Sequence, residues 1–287
     1  MSFRTVIVKE RSKLDLKMGY LVSRNQEGET RVYIPEISCL ILESTSLSLT
    51  TALLSELIKN NVAVILCDEK HNPESQLLPY YGSYNTSKKL MQQQMWNEQT
   101  KELVWQKIIK DKIAKQATIL GSFGKMEEML MLRMYCKQVK PNDETNREGH
   151  SAKVYFNALF GVDFARREEN NINSALNYGY ALLLSCFNRE VVSNGYVTQL
   201  GIWHKNEFNN FNLASDLMEP FRPLVDKMVL ELDWEQGYKS QLLDIFNKQV
   251  KIKGKTQYLE NAISIYCQSV FDALNNNDVG DIIFYDM

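Results

Sequence analysis

Cysteine is scarce in this sequence, and its spacing matches no ligand pattern. There are five cysteines, an odd number, and no two have the C-x-x-C spacing of a metal knuckle. Secreted domains held by disulfides carry denser, even-numbered sets. The sequence therefore indicates neither a disulfide framework nor a cysteine metal site, and we expect the protein to work in the reducing cytoplasm.

Long apolar runs are also absent. No uninterrupted apolar stretch approaches the ~20 residues needed to cross a bilayer, so we expect no membrane partner. Residues 1–17 alternate charged and apolar side chains and lack the apolar core of a secretion signal. We expect them to form the first part of the fold.

A strong excess of either charge is missing as well. The formal net charge is -2 at pH 7, which argues against a uniformly basic nucleic-acid binder. Net charge averages over all faces of a protein, so it leaves room for a local positive groove. Charge alone would not suggest DNA.

The first third of the chain alternates apolar and polar residues between turn signals, which is typical of strands. The pattern predicts strands over 4–8, 20–22, 31–34, 39–42 and 62–67, with a helix over 50–60. A polar stretch follows, in which Pro73, Pro79 and Gly82 interrupt any regular pattern. We interpret residues 71–86 as an interdomain linker.

Beyond this stretch, Met-rich and Leu-rich segments have helical spacing and contain little Gly or Pro. The predicted helices cover 88–120, 125–137, 147–159 and 172–193, with further segments from 215 onward. A chain of 287 residues is long enough for two domains. The predicted fold class is α+β, with a small amino-terminal β domain (1–70), the linker (71–86) and a larger, mainly α-helical domain (87–287).

Three residues in the second part stand in distinctive local sequences. Glu148 lies in Asn-Arg-Glu-Gly-His, His204 in Gly-Ile-Trp-His-Lys-Asn, and Glu219 in Ser-Asp-Leu-Met-Glu-Pro-Phe-Arg-Pro. Two carboxylates and one imidazole form a moderately hard ligand set that suits Mg²⁺ or Mn²⁺, whereas a structural zinc site would normally have more Cys or His ligands. Together they indicate a metal site suited to phosphoryl transfer.

Each of these residues also has a simpler explanation. Glu148 fits a capping box that begins at Thr145, in which the acid reaches back to a free amide at the helix start. His204 could be an ordinary hydrogen-bonded histidine, and Asp216 and Glu219 could be solvated acids in a first helical turn. Pro220 and Pro223 predict an irregular backbone around Glu219 under either explanation.

Taken together and in this order, the three local sequences resemble the Cas1 family, the integrases of CRISPR adaptation, and in particular the form that accompanies type II systems. The resemblance runs nearly end to end, and this family also has an amino-terminal β domain and a carboxy-terminal helical domain. It implies that Glu148, His204 and Glu219 are the catalytic metal ligands, in the helical domain. Much of the wider family has aspartate at the last position, whereas the type II branch resembles this sequence in having glutamate.

The resemblance also implies a reaction. A 3′-hydroxyl of a short prespacer DNA attacks a phosphodiester at the boundary of a CRISPR repeat, and a bound Mg²⁺ or Mn²⁺ stabilises the developing charge. Asp216, one helical turn before Glu219, would orient a ligand or a metal-bound water. Two alternatives are a metal-dependent nuclease that repairs branched DNA and a noncatalytic DNA-binding assembly subunit.

The partners implied are prespacer and repeat DNA, a second copy of the chain, and the small dimeric Cas2 protein, which would bridge two such dimers. Other adaptation or effector proteins of the system are further candidates. The homodimer contact is expected mainly in the β domain. Arg147, Lys205 and Arg222 flank the three ligand positions and are the candidate phosphate contacts.

Three other groups of residues are left open. Lys248, Lys251, Lys253 and Lys255 form a basic run that is more typical of a solvated loop than of a DNA site. The asparagines at 206, 209, 210 and 212, with Phe208 and Phe211, could contact an exposed strand end or could brace a packed loop. The tyrosines at 80, 81 and 84 could stack on a base or pack between domains.

Overall fold

We describe the protein from a computed structural model, in which residues 4–79 and 83–287 are described. The chain divides into two compact units. The first runs to Thr86 and also includes Asn188–Tyr196, and the second comprises Ser87–Phe187 and Val197–Met287. The expected Tyr80 and Tyr81 contacts lie outside the described residues.

The described part of the first unit contains eight strands and one complete α-helix. They are β1 (Arg4–Val8), β2 (Ser12–Lys17), β3 (Tyr20–Asn25), β4 (Gly28–Tyr33), β5 (Ile37–Leu42), β6 (Leu47–Leu49), α1 (Thr51–Lys59), β7 (Ala63–Cys67) and β8 (Pro73–Leu77). One sheet has the order β1-β5-β7-β8, and the other has the order β4-β3-β2-β6. Strands β1, β5 and β7 are parallel, whereas β4, β3 and β2 form an antiparallel meander.

The burial pattern explains this arrangement. Every residue of β5 is buried, as expected for an inner strand of a parallel sheet that is covered on both faces. Strand β4 is mostly exposed and stands at the edge of its sheet. Leu53 and Leu57 of α1 are fully buried in the core of this unit, and Thr50 caps the helix by accepting a hydrogen bond from the amide of Leu53.

The predicted linker differs from the structure in one respect, because residues 73–77 form strand β8. This strand pairs antiparallel with β7 at the edge of its sheet. Proline is tolerated as the first residue of an edge strand, where the missing amide interrupts no ladder. Pro73 therefore begins a strand and does not interrupt the regular structure.

The second unit is mainly helical. Its helices are α2 (Thr86–Gln94), α3 (Glu98–Ser122), α4 (Met126–Gln138), α5 (Arg147–Phe160), α6 (Asn171–Ser193, whose end belongs to the first unit), α7 (Asn212–Met218), α8 (Arg222–Leu230), α9 (Tyr238–Leu242) and α10 (Leu259–Asn276). The expected single helix over 88–120 is two helices, because Asn97 caps α3 by accepting from the amide of Thr100. The fold is α+β, as the sequence predicts.

The second unit also contains a small sheet that the helical spacing did not predict. Strands β9 (Gln249–Ile252), β10 (Lys255–Tyr258) and β11 (Tyr285–Asp286) are antiparallel, with β9 in the middle. Lys253 and Gly254 both have positive φ, which is the backbone of a tight hairpin turn. The basic run is therefore a hairpin, where Val250 and Ile252 are buried and Lys251 and Lys253 are exposed.

Helix α3 lies at the centre of the second unit and packs against α4, α5, α8 and α10. Trp105, Ile108, Ile109 and Ile113 are almost completely buried on it. Lys112 is buried on the same helix, with a relative exposure of 7%. Across the described ranges, 4–79 and 83–287, no helix combines the length and the apolar character needed to span a bilayer.

Candidate active site

Glu148 stands in the first turn of α5, but it does not cap that helix. The Asp143 carboxylate accepts hydrogen bonds from the amides of Arg147 and Glu148, both at 2.9 Å, and Asn146 Oδ1 accepts from the amide of Gly149 at 3.2 Å. The Thr145 hydroxyl is buried and makes no hydrogen bond. The capping-box explanation of Glu148 is therefore wrong, and its carboxylate extends to Lys112 instead.

Glu219 lies in the irregular backbone that the prolines predict. Helix α7 ends at Met218, a 3₁₀ turn spans Glu219–Phe221, and α8 begins at Arg222. The side chain of Glu219 is 4% exposed, so it is not a solvated acid at a helix start. Burial alone would raise the pKa of Glu219, but the charges of Arg222 and Lys112 outweigh it and lower the pKa well below its ordinary value.

Lys112 connects the two carboxylates. Its Nζ atom donates to Glu148 Oε1 at 2.6 Å and to Glu219 Oε2 at 2.5 Å. The other oxygen of Glu219, Oε1, accepts from Nε of Arg222 at 2.7 Å. Burial lowers the pKa of Lys112, but the two carboxylates raise it above its ordinary value, so the side chain stays charged.

His204 is held by Asp216, whose side chain is completely buried in α7. Asp216 Oδ1 lies 2.5 Å from Nδ1 of His204, and Oδ2 accepts from the amides of Ile202 at 2.6 Å and Trp203 at 2.8 Å. The loop must approach Asp216 closely, because a Cβ atom on Gly201 would lie 2.7 Å from Asp216 Oδ2. With Nδ1 engaged, Nε2 is the ring nitrogen left for a ligand.

The pKa of His204 is influenced by Asp216 and by both predicted carboxylate ligands. The hydrogen bond from Asp216 raises the pKa of His204 most, burial lowers it, and the Glu219 and Glu148 carboxylates raise it further. Burial raises the pKa of Asp216, against the effect of the imidazole and amide donors. The ring of His204 also makes an edge contact with Trp105. Trp203 stacks on Trp105, with the two ring centres 5.6 Å apart.

The donor types of the three residues, two carboxylates and one imidazole, suit a divalent cation. Two carboxylate oxygens lie within about 2.6 Å of one positively charged nitrogen, and a small divalent ion would need oxygens at roughly 2.0–2.2 Å. As placed, the His, Cys, Asp and Glu side chains of residues 4–79 and 83–287 form no group of three or more that could hold a metal ion. The ligand assignment therefore stays a prediction.

The three candidate phosphate contacts lie in different surroundings. Arg222 is inside the carboxylate cluster and stacks over Tyr180, with its guanidinium carbon 4.6 Å from the ring centre. Arg147 lies over the Tyr135 ring, while Lys205 is largely exposed and 3.8 Å from the Glu98 carboxylate. Of the three, the structure joins only Arg222 directly to a predicted ligand.

The asparagines that follow His204 brace their own loop. Asn212 donates to the carbonyls of Gln199 and Asn206, at 3.1 and 2.9 Å. Asn206 accepts from the amide of Phe208, and Asn209 accepts from the amide of Phe211. The packed-loop interpretation of Asn206, Asn209 and Asn212 is therefore confirmed.

A cavity of about 430 Å³ opens beside His204. Its walls include Gln94, Lys101, Gln199 and Asn210. This volume is in the range of small-molecule sites. It provides room for a polar group of about nucleotide size next to the imidazole.

Two buried charged residues near the site, Lys112 and Asp226, are not among the predicted site residues. Asp226, buried in α8, accepts a hydrogen bond from the Tyr180 hydroxyl, and burial raises its pKa to about 6. Lys112 had a signal in the sequence, because it occupies an apolar position of α3 three and four residues after Ile109 and Ile108. A charged residue on a buried helix face needs a partner of opposite charge.

Comparisons with known proteins agree with the resemblance. The family model described as CRISPR associated protein Cas1 matches residues 5–253, a range that contains Glu148, His204 and Glu219. A CRISPR-associated endonuclease Cas1 from Neisseria meningitidis serogroup C (strain 8013) is 37% identical over 238 residues, which cover 83% of this chain and 78% of that protein.

Two solved structures share the fold. A casposase bound to an integration product superposes with a TM-score of 0.78 at 21% identity, over 97% of this chain and 92% of the casposase. A Cas6-RT-Cas1–Cas2 complex superposes with a TM-score of 0.76 at 16% identity over 97% of this chain, which spans only 36% of that longer chain. At these identities the likeness shows the fold alone.

Proposed function

Because the chain belongs to the Cas1 family of CRISPR-associated proteins, we propose that it is a metal-dependent DNA integrase and endonuclease of spacer acquisition. It inserts prespacer DNA into a CRISPR array. The glutamate at position 219 and the likeness to the Neisseria endonuclease support the type II-like branch. The observation that carries the proposal is the pair of carboxylates, Glu148 and Glu219, held on one cation beside a histidine that is fixed by a buried acid.

Each residue of the site has a distinct task in this proposal. Glu148, Glu219 and His204 would hold a Mg²⁺ or Mn²⁺ ion, which supplies a Lewis acid for the reacting phosphate. Asp216 keeps Nδ1 of His204 protonated and the ring oriented. The unprotonated Nε2 can then offer its lone pair to the ion. Arg222 fixes Glu219 through its second oxygen.

The reaction conserves the number of phosphodiester bonds. The 3′-oxygen of the prespacer forms a bond to the phosphorus, and the bond from that phosphorus to the 3′-oxygen of the repeat strand breaks. The proton of the attacking hydroxyl is lost to solvent, and the leaving oxygen takes one up. Water in place of the attacking hydroxyl would give cleavage instead, which is the endonuclease activity.

The surroundings of the site support DNA as the substrate. The cavity beside His204 has Lys101 on its wall and would take a nucleotide next to the reacting phosphate. Lys205 is largely exposed at the following position and Arg147 precedes Glu148, so both can contact the phosphate backbone.

Paired integration implies a symmetric assembly. Two strand transfers occur at positions that a fixed length of duplex separates, and a homodimer carries two active sites. We propose that the β unit provides the dimer contact and that Cas2 joins two dimers; a structural neighbour whose name describes a Cas1–Cas2 complex supports Cas2 as a partner. Other adaptation or effector proteins would join this assembly in the cytoplasm.

Strand joining on a branched, half-integrated DNA tests the proposal. Wild-type protein with Mn²⁺ or Mg²⁺ should reseal the duplex, and chelation or His204→Ala should abolish resealing. His71→Ala is the matched control, because His71 is a half-exposed histidine of the first unit and should leave joining unchanged. Cutting without joining would identify a branched-DNA repair nuclease, and the absence of both would identify an assembly subunit.

A further inference from the structure

The position of Lys112 has a consequence for metal binding. Its ammonium group is buried in α3 and is within hydrogen-bond distance of both predicted carboxylate ligands. We propose that Lys112 is a built-in competitor of the divalent cation: it holds Glu148 and Glu219 together in the metal-free protein and must be displaced when the ion binds. This inference rests on the proposed metal-dependent function.

The distances place the ammonium where an ion would sit. Lys112 Nζ lies 2.6 Å from Glu148 Oε1 and 2.5 Å from Glu219 Oε2. A divalent ion that binds the same two oxygens would be about 2.0–2.2 Å from each of them. The two positions overlap, because an ammonium nitrogen and a metal ion cannot both lie between one pair of oxygens at these distances.

The charges of the cluster are balanced without a metal. Lys112 and Arg222 supply two positive charges, and Glu148 and Glu219 supply two negative charges. Asp226, whose charge acts on Lys112 and Arg222, adds one negative charge when it is ionised, so a divalent ion that entered would leave one or two surplus positive charges. Either one of the cations must withdraw or an anion must arrive with the ion.

Lys112 is the cation that can withdraw. Its ammonium is a point charge on a flexible four-carbon chain. The Arg222 guanidinium is fixed by Glu219 and lies over the ring of Tyr180. Lys112 therefore keeps the two carboxylates assembled. The free energy needed to displace Lys112 lowers the affinity of the site for the ion.

Removing the ammonium should have the opposite effect to removing a ligand. In Lys112→Gln, a neutral amide replaces the competitor and still offers a donor to the carboxylates, and Lys112→Met replaces it with an apolar chain of similar length. Without the ammonium, Glu148 and Glu219 repel each other until a cation binds. A displaced charged partner typically corresponds to about a tenfold change in affinity or more, so Mn²⁺ should bind about tenfold more tightly to both variants.

The matched control is Lys115→Met. Lys115 is also buried on α3, one turn further along, and its ammonium is paired with Asp111. This variant loses a buried charge from the same helix without touching Glu148 or the Lys112 ammonium position. Its affinity for Mn²⁺ should equal that of the wild type.

The experiment is a titration of each protein with Mn²⁺ alone, in which the paramagnetic resonance signal of the free ion reports binding, with circular dichroism to confirm the fold. Mn²⁺ should also raise the melting temperature more in Lys112→Gln than in the wild type. Unchanged or weaker binding by folded Lys112→Gln, where the wild type binds, would overturn the inference alone. No binding by any of the proteins would overturn both the inference and the metal-dependent function.

Discussion

The Nδ1 atom of His204 lies 2.5 Å from Oδ1 of Asp216, and Asp216 also accepts hydrogen bonds from the backbone amides of Ile202 and Trp203. One buried carboxylate therefore orients the imidazole and closes the loop that carries it. Because the side chain of Asp216 is completely buried, water cannot replace it in either task. The acid that we predicted to orient a ligand is also the anchor of the loop.

Asp216→Asn tests this double role. The amide cannot accept as many of these hydrogen bonds, and its NH₂ group faces the imidazole, so the ring loses its orientation. Loss of such a group behind a metal ligand typically costs about 10- to 100-fold in activity or metal affinity, and we expect strand joining to fall by this amount with a lower melting temperature. Asp272→Asn, which changes an exposed acid on α10, is the control and should alter neither quantity.

The pH dependence of joining should report the His204–Asp216 pair. The pKa of His204 is raised, chiefly by the hydrogen bond from Asp216. A protonated imidazole cannot bind a metal ion, so joining should decline as the pH falls through this raised pKa. In Asp216→Asn the cause of the shift is removed, so the residual activity should persist to lower pH. An inflection at the same pH in both proteins would contradict the assignment.

Much of this fold could be predicted because its signals are local. The strand Arg4–Val8 has the predicted bounds. Helices α5 (Arg147–Phe160) and α6 (Asn171–Ser193) begin and end within a residue or two of the predicted limits. The hairpin at Lys253 was missed because its short strands look like a solvated basic run, and only the buried Val250 and Ile252 reveal the alternation.

The site shows where local patterns stop being informative. The prolines after Glu219 correctly predicted an irregular backbone, because their effect acts on neighbouring residues. The contact between Lys112 and Glu219 joins residues 107 positions apart, and no spacing rule reaches that far. The alternative explanation of Glu148 as part of a capping box has good local grounds, but Asp143 and Asn146 already provide the cap.

Asp226 should make the protein less stable as the pH rises through the weakly acidic range. Burial raises its pKa from 3.8 to about 6, so the folded state binds the proton more tightly than the unfolded state. Stability is therefore lost progressively between pH 3.8 and about 6, where the carboxyl is ionised in the unfolded chain but keeps its proton in the folded protein. A shift of this size corresponds to about 2–3 kcal/mol.

Urea unfolding at several pH values measures this effect in Asp226→Asn. The asparagine has no proton to lose, and its carbonyl oxygen can still accept from the Tyr180 hydroxyl. The free energy of unfolding of the variant should therefore decline less than that of the wild type between pH 4 and 6. If the free energy of unfolding declined equally with pH in the two proteins, Asp226 would not be the cause of the decline.

DNA should raise the affinity of the wild-type protein for Mn²⁺. The cluster of Lys112, Arg222, Glu148 and Glu219 is neutral, so a divalent ion that binds without an anion leaves surplus positive charge. A DNA phosphate provides that anion and a new partner for the displaced ammonium. Coupling between two ligands is reciprocal and commonly amounts to 5- to 150-fold, and we expect about tenfold tighter Mn²⁺ binding with a short duplex whose 3′ ends lack the hydroxyl and cannot react.

Lys112→Gln provides the comparison, because it lacks the charge that the phosphate would attract. Mn²⁺ should already bind this variant more tightly without DNA, and the duplex should add less than it does for the wild type. By the same linkage, Mn²⁺ should strengthen DNA binding more in the wild type than in the variant. An equal effect of DNA on both proteins would mean that the phosphate neutralises the site without involving Lys112. In the expected case, the free protein remains largely metal-free until DNA arrives, which would limit indiscriminate cutting.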